Sequence, residues 1–238
     1  MARGRVDGDA FAAEWLFSDR RDGVSTAEYA ALNVGASVGD DPVAVAANRA
    51  AIAGYLGANA LALVRQVHGR DVARLRAPLD APPDADAIVT DVPGLPIAVQ
   101  TADCVPILLA DLGRGQVAAV HAGWRGVVAD VVGAALEAMT PAGSVHAWIG
   151  PAICPGCYEV SEEVREVVAA AAPEAFARTR AGTPAVDVRA GVAGQLARRG
   201  IAAEMVGGCT FEDPALYSYR RDAVTGRQAG VIVLRELP

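Results

Sequence analysis

The chain has 238 residues, 53% of them hydrophobic, and a formal net charge of −7, with all 21 basic residues being arginine. That length fits one large folded domain or two small ones, and with no linker long enough to mark a boundary a single domain spanning residues 1–238 is expected; the apolar content excludes wholesale disorder. The acidic balance argues against nucleic acid as the main partner, and no window approaches the ~18 uncharged apolar residues of a membrane helix.

The N-terminal fifteen residues lack the apolar core of a signal peptide. A cytoplasmic protein with reduced thiols is therefore expected. Residues 14–19 predict a first strand, followed by a glycine-rich irregular segment from Arg20 to Asp41 that is long enough to have a functional reason. Asp41-Pro42 predicts a capped helix start, and the alanine-rich run that follows predicts a helix ending near Gly57. Residues 61–69 read as a strand with His68 at its end, 71–75 as its hairpin partner, and 86–90, 96–101, 105–111 and 116–122 as further apolar strands. Residues 126–139 predict a helix whose N-terminal dipole would face the preceding residues. A strand over 144–150, helices over 162–172 and 188–200, and strands over 202–206 and 230–237 complete the chain. The irregular interleaving of strands and helices, with hairpins, points to an α+β fold with a mixed sheet and helices on its outer faces.

Cysteine and histidine are scarce, four and three in the whole chain. His68, Cys104 and His121 each fall at or near the end of a predicted strand, so adjacent strands would bring them together. Two imidazoles and a thiolate form a three-ligand zinc set with one open position. The same residues also read as a Cys–His nucleophile pair, with Cys104 attacking, His121 as base and Asp103 or Thr101 nearby, or as a buried cysteine with two hydrogen-bonded histidines. His146, mid-strand, reads as a packed or surface residue. Cys154 and Cys157 form a CxxC that fits a second metal or redox pair, but with no partner CxxC and with Pro155-Gly156 between them, loop packing is the plainer reading. Cys209 reads as a small buried residue. Isolated arginines are discounted because lysine is absent, and Arg49 alone reads as part of a solvated face. The basic run at Arg220 and Arg221, with Arg227 beyond, fits an anion-binding loop.

Taken together, these residues resemble the YfiH-like family, once labelled multicopper polyphenol oxidase or laccase domain proteins. The resemblance is carried by QVHG at 66–69, ADAIVT at 85–90, VQTADCVPILLAD at 99–111, AAVHAGWRG at 118–126, CYEV at 157–160 and YSYRRD at 217–222, together with LNVG at 32–35 and the NR pair at 48–49. It implies a YfiH-like α+β fold and a zinc-dependent purine nucleoside phosphorylase that also deaminates adenosine and cleaves methylthioadenosine. It further implies His68, Cys104 and His121 as zinc ligands, with Cys104, Asp103 and His121 as catalytic residues. Asn33, Arg49, Arg125, Arg220 and Arg221 become the expected contacts to nucleoside and phosphate. Asp22 and Pro155-Gly156 depart from the family pattern and bear on substrate preference. The resemblance leaves a Cys–His amidase acting on a peptidoglycan precursor as the alternative, and a binding partner with a structural zinc as a third reading. His₂Cys also suits a mononuclear copper site. A multicopper oxidase needs a histidine-rich trinuclear cluster, which three histidines cannot supply.

Overall fold

Apolar runs too continuous for a half-solvated sheet become strands buried on both faces. The computed structural model describes residues 1–141 and 143–238. In chain order the strands are β1 (Ala2–Asp7), β2 (Phe11–Phe17), β3 (Val72–Arg74), β4 (Ala87–Thr90), β5 (Ile97–Thr101), β6 (Val105–Asp111), β7 (Gln116–Ala122), β8 (His146–Ile149), β9 (Phe176–Arg178), β10 (Pro184–Val186), β11 (Ala203–Met205) and β12 (Gln228–Glu236). The helices are α1 (Pro42–Tyr55), α2 (Trp124–Val128), α3 (Val131–Met139), α4 (Glu162–Ala171), α5 (Val188–Ala197) and α6 (Tyr219–Asp222).

Two sheets pack face to face. The smaller, ordered β1-β2-β12-β5, is antiparallel throughout. The larger, ordered β11-β8-β6-β7-β4-β3, is mixed, with parallel pairs at both edges. Strand alternation sorts the side chains between three cores. Trp15, Phe17, Ile97, Ile232, Leu108 and Trp148 meet between the sheets. Ile107, Leu109 and Val120 face the other way, against Val127, Val132, Val168 and Val192 of α2 to α5. On the far side Leu16, Ala98 and Val231 pack on Ile52 and Ala53 of α1. The result is a helix–sheet–sheet–helix sandwich, an α+β fold with helices on both outer faces. Each fully buried Leu or Ile contributes about 1.5–3 kcal/mol by leaving water.

Several local expectations are corrected. Residues 61–69 form isolated bridges, Ala62 with Ile97 and Arg65 with Asp84, not a strand. The Gln66 side chain takes the place of a ladder: its amide donates to Gln100 O and accepts from Gln100 N–H, both at 2.8 Å. β3 is consequently not a hairpin partner of that segment but pairs parallel with β4. The helix expected over 126–139 is broken at Asp130, which adopts φ +56° and caps α3 through Gly133 N. The half nearest the site, α2, has only five residues, too short to project the expected dipole. β1 was not anticipated, and neither was the β9–β10 hairpin.

Candidate metal centre

The centre forms where the chain crosses from one sheet to the other. β5 belongs to the small sheet and β6 to the large one, and only Ala102, Asp103 and Cys104 connect them. So short a crossing needs an unusual backbone, and Asp103 supplies it with φ +101°. Cys104 is thereby delivered to the end of the sandwich, beside His121 near the end of β7. The three donors converge, but not by lying on neighbouring strands of one sheet as expected.

His68 arrives from the irregular QVHG segment, also with positive φ, +61°. One buried carboxylate makes this possible. Asp86, fully buried immediately before β4, accepts the backbone N–H groups of Val67, His68 and Gly69 at 3.2, 2.9 and 2.6 Å. It also accepts from His121 Nδ1 at 2.8 Å, which leaves Nε2 to face the thiol. A carboxylate behind a histidine is the usual way to orient an imidazole ligand. Sequence reasoning missed Asp86; the signal was an acid opening an otherwise apolar strand in the ADAIVT motif.

The two histidine rings stand edge-on, centroids 4.8 Å apart, and His68 Nε2 lies 3.9 Å from Cys104 Sγ. One donor atom from each of the three residues lies within 4.8 Å of the others. Burial alone would raise the Cys104 thiol, but the charge of His121 and hydrogen bonds from both histidines overcome it and hold the thiol at about 6. Burial opposes protonation of His121 in turn, yet Cys104 and Asp86 raise it to about 9. The thiol is thus set up as a thiolate, the form that binds a metal. Gly123 leaves the needed room, since a Cβ there would sit 3.1 Å from both Cys104 Sγ and His68 Cδ2. Donor type, spacing and the supporting carboxylate all fit a zinc or copper ion. His146 is exposed on β8, stacked on Trp148, and takes no part.

A cleft of about 1230 Å³ opens over these residues. Its wall carries Arg49, Arg65, Arg125, Arg220 and Arg227 against Asp80 and Asp103, so an acidic protein presents a cationic cavity. Arg49 and Arg227 are half-buried, and burial holds both guanidiniums below the ordinary arginine value. Among the described residues neither forms an ion pair; Arg49 donates to Val34 O, and Arg227 to the carbonyls of Thr225 and Gly226. Arg125 lies over the Trp124 ring and Arg220 over Tyr158.

Three expected site residues have other partners. Asn33 is fully buried behind the wall, where its side chain bonds Gly35, Asp40 Oδ2 and Arg227 N–H. Arg221 points away from the cleft, bonding Asp222 and the carbonyls of Thr210, Phe211, Asp213 and Leu216. Asp103 keeps both oxygens occupied, accepting from Thr210 Oγ1 at 2.6 Å and Arg220 N–H at 2.7 Å. Arg227, noticed in the sequence only as a neighbour of the basic run, stands on the wall beside Arg220, where Arg221 does not.

The profile described as "Multi-copper polyphenol oxidoreductase laccase" matches residues 14–235. The chain belongs to that family. Within this laccase-named family the chain is similar to a purine nucleoside phosphorylase of Streptomyces griseus, at 50% identity over 93% of this chain and 94% of that one. It is also similar to one of Streptomyces coelicolor, at 52% identity over 93% and 96%. Among solved structures, a Neisseria meningitidis protein superimposes with a TM-score of 0.85 at 34% identity, covering 98% of this chain and 99% of the other.

Proposed function

We propose that the protein is a zinc-dependent purine nucleoside phosphorylase, converting adenosine or inosine and phosphate to free base and ribose 1-phosphate. Methylthioadenosine is a further substrate in this reading, and adenosine deamination a second activity of the same site. The carrying observation is the placement of two half-buried, unpaired arginines in one cleft with the His68–Cys104–His121 set. The names of the relatives agree with the phosphorylase part of this reading.

A desolvated guanidinium without a carboxylate is costly until an anion arrives, and arginine grips phosphate through paired N–H donors. Arg49 and Arg227 therefore hold phosphate, with Arg125 and Arg220 closing around the substrate. Trp124, Tyr158 and Tyr219 on the wall offer ring surfaces to the purine. Asp103 becomes a positioning residue, locking Thr210 and Arg220 to the Cys104 turn, in place of the proton handler expected from its sequence position. His68, Cys104 and His121 hold the zinc, and Asp86 orients two of them. Zinc held there supplies Lewis-acid polarisation and a water activated at neutral pH.

The Asp86–His121–Cys104 chain also resembles that of a nucleophilic cysteine. His68, drawn onto the same thiol, has a role in metal binding and none in the amidase alternative, which the relatives' names do not favour either.

The test is incubation of purified protein with adenosine, with and without phosphate, and separation of products. Adenine appearing only with phosphate, abolished in Cys104→Ala, is expected. Arg49→Ala and Arg227→Ala should raise the phosphate KM about tenfold or more, roughly the 1.4 kcal/mol of one charge-assisted contact, while sparing phosphate-independent inosine formation. Absence of adenine, hypoxanthine and inosine above the Cys104→Ala control overturns the reading.

A further inference from the structure

The other three cysteines are not scattered. Cys154 and Cys157 flank a single 3-10 turn, and the bridge between Ala152 and Cys209 lays a second segment beside it. Glu212 follows one turn after Cys209. Cys154, Cys157, Cys209 and Glu212 each offer a donor atom, and these atoms lie within 4.8 Å of one another. Glu212 Oε1 is 3.4 Å from Cys157 Sγ and 4.0 Å from Cys154 Sγ. The partner of the CxxC is thus not a second CxxC but a CxxE, Cys209 to Glu212.

We propose that Cys154, Cys157, Cys209 and Glu212 form a second, structural zinc site, closed by four protein ligands. Three thiolates and a carboxylate suit zinc's preference for sulfur-rich tetrahedral sets. At a Zn–S distance of about 2.3 Å, tetrahedral ligands stand about 3.8 Å apart; the Glu212 contacts to Cys157 and Cys154, at 3.4 and 4.0 Å, already bracket that spacing, and no pair exceeds 4.8 Å. The sulfurs already have the hydrogen-bond donors that support metal thiolates. Cys154 N–H donates to Cys209 Sγ at 3.2 Å, and Arg180 Nη1 donates to Cys157 Sγ at 3.7 Å. Arg180 also pairs with Glu212, countering the negative charge of a four-anion set. A disulfide would engage two of the thiols and leave the third, and the carboxylate among them, without a role.

The site is linked through chain neighbours to the cleft wall. Tyr158 directly follows Cys157, and Thr210, following Cys209, binds Asp103. Arg220, stacked on Tyr158, donates to Glu159 O at 2.8 Å. An ion here ties the 151–159 and 209–213 segments together and fixes one wall of the cavity without entering it.

Metal content, measured after zinc loading and desalting, tests this independently of any nucleoside assay. The wild-type chain is expected to hold two zinc ions, Cys104→Ala one, and Cys154→Ser/Cys157→Ser one. Cobalt-loaded Cys104→Ala should show the intense thiolate charge-transfer absorption of a three-sulfur site. Glu212→Gln, which removes one exposed ligand and leaves the sulfurs, guards against misfolding of the double variant and should release the second ion to a competing chelator at least tenfold more readily. One zinc in the wild type that is lost entirely in Cys104→Ala overturns the proposal. So does an intact mass, under non-reducing conditions, lower by two hydrogens that vanishes in Cys154→Ser/Cys157→Ser.

Discussion

The two cysteine clusters use one chemistry in opposite electrostatic settings. At the cleft a single thiol sits between two imidazoles, the His121 ring backed by Asp86, and the charge of His121 with hydrogen bonds from both rings outweighs burial and brings Cys104 to about 6. In the outer cluster burial raises Cys157, and hydrogen bonds from Cys154 and Glu212 add to it, to about 12. Cys154 is raised as well, again by burial first and by Cys209 next. A lone thiolate beside the His121 cation is stable without an ion and can leave a coordination position open. Cys154 and Cys157, crowded by a third sulfur and a carboxylate, ionise together only when a metal supplies the charge. The first arrangement suits exchange of ligands, the second permanence.

The widest expected difference between them is in thiol reactivity. In chelator-stripped protein, iodoacetamide should modify Cys104 at a rate that rises through about pH 6 and is level by pH 7.5, because a lowered thiol pKa leaves the thiolate dominant above it. At the same pH Cys157, held as the thiol, should react more than a hundredfold more slowly; peptide mass mapping reads both. Comparable rates would erase the contrast. Next in size is Asp86→Ala, which removes the acceptor for His121 and for three backbone N–H groups of the His68 segment. Loss of such a supporting carboxylate costs about 10–100-fold in metal affinity, measured by chelator competition, and the outer cluster should be unchanged. The smallest effect separates two glycines. Gly123→Ala presses a Cβ onto Cys104 and His68 and should weaken metal binding several-fold, whereas Gly156→Ala meets only the flexible Arg180 side chain at 3.3 Å or more and should be silent in the same titration.

Much of the architecture was legible because it rests on period and punctuation. The apolar runs at 86–90, 96–101, 105–111 and 116–122 became strands, and Asp41-Pro42 capped a helix, since burial on both faces and caps leave local signatures. β1 left none: it is an exposed edge strand with Arg3, Arg5 and Asp7, ordered only by its register with β2. The His68 segment looked like a strand from its apolar residues, but a side chain, Gln66, had taken over the pairing. The three ligands of the cleft were legible as scarce residue types. Asp86 was not, because an aspartate before a strand looks like an ordinary turn residue until its four donors are seen. Cys209 was expected as a buried filler and is half-exposed beside two other thiols, a proximity set by a bridge between segments 55 residues apart.

The three-residue passage from β5 to β6 has a consequence for traffic through the cleft. Its cysteine is anchored on one side by a strand of the small sheet and on the other by a strand of the large one, so the floor has no hinge. Opening and closing cannot be shared between floor and rim, as it is in enzymes whose catalytic groups ride on lids. Entry and release of ligands are then expected at the outer walls, where exposed residues such as Ser37, Leu79 and Tyr219 line the cleft.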